Sequence, residues 1–358
     1  MKQVLLFFGA IVLLASCVEE DHFGYSPYGN IKDIEISNQA SKATIDQDNL
    51  TVQVEFPGGV DLSSSLIRSI SLSSFASSDK TSGDVLDLNQ DAQIVVTAEN
   101  GNIVNWKIEP FIASVTPQLV NWDLNDWYQT SSGGYYEPGA DESTTIWGTG
   151  NPGTQILKLL ATTPIEIEDG NLAAKLETLD NGSVSGAFGA PISAGSIFTG
   201  KFDKDKIDPA NPQAAIDFGT PFSGRPLELQ FKYKYSPGAE NKDKNGDDLP
   251  YGDQCDVYAY LEIRTADKTE RLATAWFRSG DLQEDFTTEN INFTYGELDN
   301  SFPDYMRPEN GLYVSADSAS FVLPTHITFV ASSSFDGANF AGAIDSELVV
   351  DDIEMIYE

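Results

Sequence analysis

Aromatic rings and polar side chains that match sugar hydroxyls are crowded into two parts of this 358-residue chain. Trp127, Tyr128, Tyr135, Tyr136 and Trp147 fall in one short, glycine-rich stretch, and Tyr258 and Tyr260 alternate along another that ends in Arg264. Sugar rings have flat C–H faces that pack on Trp and Tyr, while Asn, Asp and Arg bond the hydroxyls. Sites of this kind are mostly apolar with a few placed polar groups. Trp147 precedes Gly148-Thr149-Gly150-Asn151-Pro152-Gly153, too polar and glycine-rich for a core strand. Asn151 brings an amide that donates and accepts, as a hydroxyl does, and binding residues concentrate on loops of this kind. The pattern therefore centres a candidate carbohydrate site on Trp147 and Asn151, with Tyr135, Trp127, Tyr258, Tyr260 and Arg264 around them. In the competing arrangement the rings cover a second sheet or a domain seam, Trp147 plugs the end of a sandwich and Asn151 caps a turn.

Other chemistries find less support. With Cys17 and Cys255 the only cysteines, a cysteine-based zinc site is excluded. His22 and His326 are the only histidines and stand far apart, so no mechanism using two imidazoles is expected. Gly195 to Lys201 matches the start of a phosphate-binding loop, but Phe202 stands where Ser or Thr must hold magnesium, and Asp203, Asp205 and Pro209 follow where a helix must begin. The run from Asp243 to Asp248 lacks the EF-hand glycine and glutamate and reads as a solvated hairpin loop. Gly182-Ser183-Val184-Ser185-Gly186 puts valine at a hydrolase's nucleophile position. A glycosidase carboxylate pair stays open, because its spacing of about 5–5.5 Å or about 6.5–9.5 Å is a distance in space rather than along a chain.

The elements that must carry these residues are strands. A net charge of −34 repels phosphate backbones, so nucleic acid is not an expected partner. The 41% hydrophobic and 11% aromatic content is enough for a buried core. From 29 to 112 the apolar residues recur every second position, as in Leu50, Val52, Val54 and Phe56. Asn100-Gly101, flanked by Ile94-Val95-Val96 and Val104, Trp106 and Ile108, signals a hairpin. This part is expected to be a small sandwich of immunoglobulin type. A hinge follows at Ser114 to Pro117. From 118 to 358 the chain is again strand-rich, with clean alternation through Leu227–Tyr235 and Cys255–Arg264. Antiparallel strands with long loops over that length suit a jelly roll. The expected fold class is all-β, an immunoglobulin-like β-sandwich followed by a larger jelly-roll β-sandwich.

Two resemblances add to this reading. Lys2, the apolar run from Val4 to Leu14 and the small residues after it are in secretory order. Leu14-Ala15-Ser16-Cys17 resembles the lipobox of bacterial lipoproteins. That implies a signal peptide of residues 1–16, a Cys17 carrying acyl chains that anchor the protein to a membrane, and a tether over 17–28. With Cys17 acylated, Cys255 has no disulfide partner. Val18-Glu19-Glu20-Asp21 looks like the acidic export signal of Bacteroidetes lipoproteins, implying an outer membrane lipoprotein that faces the cell exterior.

The second resemblance is carried by Asn121 to Trp127, Trp147 to Asn151, Ala173 to Thr178, Ala194 to Phe202, Phe218 to Phe222 with Arg225-Pro226, Lys232 to Gly238, Gly342 to Leu348 and Val350 to Asp352. In this order they resemble the Putative carbohydrate metabolism domain of Bacteroidetes surface lipoproteins, a jelly roll similar to carbohydrate-binding modules. The N-terminal sandwich resembles the immunoglobulin-like domains that precede it. Similar modules hold a structural calcium between first and last strands, which implies Asn125 and Asp352 as ligands; no other cofactor is required. Three functions follow: non-catalytic glycan binding in polysaccharide capture or adhesion, a glycoside hydrolase or related polysaccharide-active enzyme using a carboxylate pair, and a structural or fimbria-like surface protein.

Overall fold

The computed structural model describes residues 24–357 apart from 58–59, 113–115, 132–133, 188 and 207–211. The expected signal peptide, Cys17, the acidic run behind it, and Ser114 and Val115 of the expected hinge lie outside the described residues. Within them the chain is all-β, with two hydrophobic clusters that share no residue, one spanning Ile31 to Ile108 and the other Leu119 to Met355.

The first cluster fills a sandwich of a three-stranded and a five-stranded sheet. Val52, Val54 and Phe56 of strand Thr51–Phe56 point inward while Thr51, Gln53 and Glu55 face out, as the period of two demands. Strands Ala92–Thr97 and Ile103–Ile112 pair antiparallel around the Asn100-Gly101 turn, with Gly101 in the left-handed region at φ +86°. Thr51–Phe56 then pairs parallel with Ile103–Ile112, a neighbour distant in sequence. Trp106 is fully buried at the centre, and its indole N–H donates to the Gly29 carbonyl at 2.9 Å, so the ring is buried without losing a hydrogen bond.

The second cluster lies between an eight-stranded and a five-stranded sheet, the two layers of a jelly roll. Strand Glu228–Ser236, in the five-stranded layer, sends Leu229, Phe231, Tyr233 and Tyr235 inward and its lysines outward. Across the core, Cys255–Arg264 sends in Cys255, Val257, Ala259 and Leu261. It is hydrogen-bonded on both edges, to Thr269–Ser279 and to His326–Ser332. Strand Ser196–Phe202 continues the sheet beyond His326–Ser332, and Trp147–Thr149 lies beyond that.

The two sandwiches meet through polar contacts. The Lys42 ammonium donates to the carbonyls of Ser143 and Thr145 at 2.8 and 2.7 Å, Arg68 donates to the Arg264 carbonyl at 3.3 Å, and Lys201 pairs with Asp33.

The phosphate-loop lookalike is part of this framework. Ser196 to Lys201 of it belong to strand Ser196–Phe202 rather than to a turn before a helix, and Gly195, just before the strand, packs where strands Thr162–Glu168 and Asn171–Glu177 come together. A Cβ there would lie 2.3 Å from both the Ala161 carbonyl oxygen and the Glu177 nitrogen, which are hydrogen-bonded to each other. Gly195→Ala is therefore expected to lower stability by ~1–3 kcal/mol, the usual cost of forcing an extra carbon into a packed site. Denaturant unfolding checks this; an unchanged midpoint would refute the close approach.

Candidate functional site

Trp147 is 3% exposed and points into the core from strand Trp147–Thr149, its indole N–H donating to the Val120 carbonyl at 2.7 Å. Its ring meets Phe329 edge-on at 5.6 Å. Asn151 is fully buried and spends its amide on one backbone unit, donating to the Thr162 carbonyl at 2.7 Å and accepting the Thr162 N–H at 3.0 Å. Neither side chain presents a group to a ligand. Both expectations give way to the structural alternative: the indole plugs the sandwich and the amide ties a turn to a strand. Trp127 packs against the same core with its N–H on the Leu124 carbonyl, and Tyr135 is buried, its phenol pushed up to about 12 by burial and then by Glu137.

Arg264 is likewise committed. Its guanidinium donates to Glu262 at 2.6 and 2.9 Å and to the Phe218 carbonyl at 2.8 Å, at the seam between the sandwiches. The implied calcium ligands do not fit a cation that takes roughly six to eight oxygens. Asn125 accepts the Leu172 N–H at 2.8 Å and donates to Asp123 at 3.0 Å, while Asp352 forms an ion pair with Lys232 at 2.7 Å. A bulge in the last strand, with Asp352 at φ +46°, buries the neighbouring Asp351 instead. Among the described residues no group of three or more His, Cys, Asp or Glu is placed to hold a metal.

Tyr258 and Tyr260 behave differently. The alternation that turns Val257, Ala259 and Leu261 inward puts both tyrosines, with Asp256, on the outer face of the eight-stranded sheet. Register then decides their company. Tyr258 pairs across the strands with Trp276 and Val330, Val330 with Phe198, and Asp256 with Arg278 and Ser332. The rings of Tyr258 and Trp276 stack at 3.9 Å, Tyr260 stacks on Tyr258 at 5.9 Å, and the Arg271 guanidinium lies 3.6 Å from the Tyr260 centroid. Tyr305, on the short 3-10 turn Asp304–Met306, meets Trp276 edge-on at 5.5 Å.

A cleft of about 300 Å³ opens beside this stack. One wall is Phe202 and Phe218, backed by the buried ring of Phe198; the other is Tyr258, Trp276 and Tyr305; Val330 lies between them. The polar end holds Ser332, Asp256 and Arg278, with Arg278 gripping both Asp256 oxygens at 2.6 Å. Burial raises the Asp256 pKa and Arg278 opposes the shift. Among the described lining residues Asp256 is the only carboxylate. Trp276, Tyr305, Asp256 and Arg278 were not singled out from the sequence, although Thr274, Trp276 and Arg278 alternate on their strand as the tyrosines do on theirs. The missing signal was the pairing of the two strands.

The family model of the Putative carbohydrate metabolism domain matches residues 123–356. The chain belongs to this family. It is similar in fold to a crystal structure described as a putative glycoside hydrolase from Bacteroides thetaiotaomicron VPI-5482, with a TM-score of 0.57 and 23% identity over 93% of this chain and 98% of that one. A second structure so described, from Bacteroides vulgatus ATCC 8482, gives a TM-score of 0.53 and 23% identity over 66% of this chain and 97% of that one. A family 11 carbohydrate-binding module of a Clostridium thermocellum cellulase is more distant, with a TM-score of 0.26 and 10% identity over 62% of this chain and 95% of that one. No curated protein matches the chain.

Within the carbohydrate metabolism domain, the stretch first expected to bind sugar holds a buried acid. Glu137 accepts the Thr149 hydroxyl on one oxygen at 2.8 Å, its other oxygen is buried without a partner, and burial pushes its pKa up to about 8. The folded protein thus keeps a proton that the unfolded chain releases at lower pH. The group's contribution is full below the unfolded pKa and is lost as pH rises through about 8. Glu137→Gln is expected to melt progressively higher than the parent as pH is raised from 5 toward about 9. Thermal melts across that range check it, and parallel pH profiles would count against the assignment.

Proposed function

We propose that this protein is a non-catalytic glycan-binding lipoprotein, held on the outer face of the outer membrane through acyl chains on Cys17, that captures polysaccharide or mediates adhesion. The observation that carries the binding is the aromatic-walled cleft with one polar end on the outer sheet face. A sugar ring offers two apolar faces and a polar rim, which match the two walls and the row Ser332, Asp256 and Arg278. A hydrolase needs two carboxyl groups at one of two spacings. The described lining residues supply Asp256 alone, already engaged by Arg278. The N-terminal sandwich, which we read as immunoglobulin-like, then serves as a spacer between membrane and binding face.

Titration of the purified full-length protein with neutral oligosaccharides should give a saturable change in tryptophan fluorescence. Tyr305→Ala is expected to weaken binding about tenfold and Trp276→Ala about thirtyfold or more, as for aromatic anchors at other interfaces. A folded Trp276→Ala protein that binds like the parent would overturn the site.

The anchor is tested separately. Cys17→Ser should release the protein from membranes or leave the precursor uncleaved, and detergent partitioning unchanged from the parent would refute lipidation.

A further inference from the structure

We propose that the cleft selects uncharged glycans over anionic ones, and that the Asp256–Arg278 pair is what sets this preference. The inference rests on the binding reading above and gives it a ligand class. Arg278 is the only cation among the described lining residues. An arginine used to bind sugar carboxylates or sulfates presents its planar fork to the ligand, since two parallel N–H donors match two oxygens. Here one edge of that fork is filled from within the protein, and the charge of the whole group is balanced there. Nε and Nη2 of Arg278 each meet an Asp256 oxygen at 2.6 Å. The guanidinium plane is covered as well, with Tyr305 at 3.8 Å and Phe335 at 4.2 Å from its central carbon. The Trp276 indole N–H adds a third donor to Asp256 at 3.2 Å.

The consequence is a polar end without net charge, set in a chain of net charge −34. Side-chain exposures of 14% for Arg278 and 4% for Asp256 mean that water screens the pair poorly and holds it as a unit. An anionic sugar entering the cleft would lose hydration and meet a carboxylate beside an arginine already neutralised by it. A neutral sugar loses only hydroxyl hydration, which the outer edge of Arg278 can replace as donor and Ser332, whose own proton goes to the Ser334 carbonyl at 2.8 Å, as acceptor. Discrimination of this kind needs an unfavourable element built against the wrong ligand, and Asp256 supplies it.

The test compares neutral hexose oligosaccharides with oligouronates of equal length by calorimetry, for the parent protein and for Asp256→Asn. The parent is expected to bind the neutral series at least tenfold more tightly, with an affinity that does not change between low and high salt. Asp256→Asn keeps the side-chain shape and frees the arginine, so it should gain at least tenfold for oligouronates, and that gain should fade with added salt. Should the variant not fold, the salt series and ligand comparison on the parent still decide. Parent protein that binds both classes equally, with binding lost in Tyr305→Ala, would overturn the selectivity and leave glycan binding standing. Failure to bind either class would overturn both. An Asp256→Asn protein that folds but keeps the parent's preference would remove the pair as its cause.

Discussion

Strand Cys255–Arg264 has no free edge and no freely solvated face, and the rest of the larger sandwich is arranged around that constraint. Both edges are hydrogen-bonded, to Thr269–Ser279 and to His326–Ser332. Its inner side chains close the core against Phe231 and Tyr235. On its outer face stand large rings that cannot be left wet without losing the benefit of covering their apolar surface. The cover comes from the neighbouring strand, as Trp276, and from the arm that carries Tyr305. That arm is itself fixed by Arg307, which donates to the carbonyls of Leu298 and Asp299 at 2.6 Å each. The cleft is what remains between this covered stack and the phenylalanines two strands away.

Close approach of small residues shapes the other wall. Gly148 lies opposite Phe198 in the sheet, and a Cβ at 148 would come within 2.8 Å of that ring. The missing side chain leaves room for Phe198, which meets Phe218 edge-on at 5.3 Å. By composition Gly148 belongs to an open loop, yet its role is to make a buried ring fit. Composition says that a segment is unusual without saying whether the cause is solvent or crowding.

The same outer face ends at the seam with the first sandwich. There Glu262, Arg264 and His326 continue the rows that hold the tyrosines, but Arg264 and His326 meet Arg68 and Glu35 of the other sandwich, and Glu262 pairs with Arg264. Burial first, then Arg264 and Arg68, hold the His326 pKa down to about 3, so the imidazole is neutral there. One sheet face is thus divided between a charged contact with the neighbouring sandwich and an aromatic cleft.

The sequence by itself determined the strands and the faces of their side chains. The alternation through Leu229 to Tyr235 and Cys255 to Leu261 has only one reading, because side-chain direction in a strand has a period of two residues. It also placed Tyr258 and Tyr260 on an outer face and set the turn at Asn100-Gly101, both consequences of neighbouring residues alone. Trp147 and Asn151 were misplaced because a polar, glycine-rich setting is shared by exposed loops and by tight crossings of buried backbone. Asp256, Trp276, Arg278 and Tyr305 became a group only when the strands aligned, bringing position 258 beside 276 and 330. Only the tertiary structure decided that alignment, because register is set by the fit of the whole core between two sheets, and no local spacing records which distant strand will lie alongside.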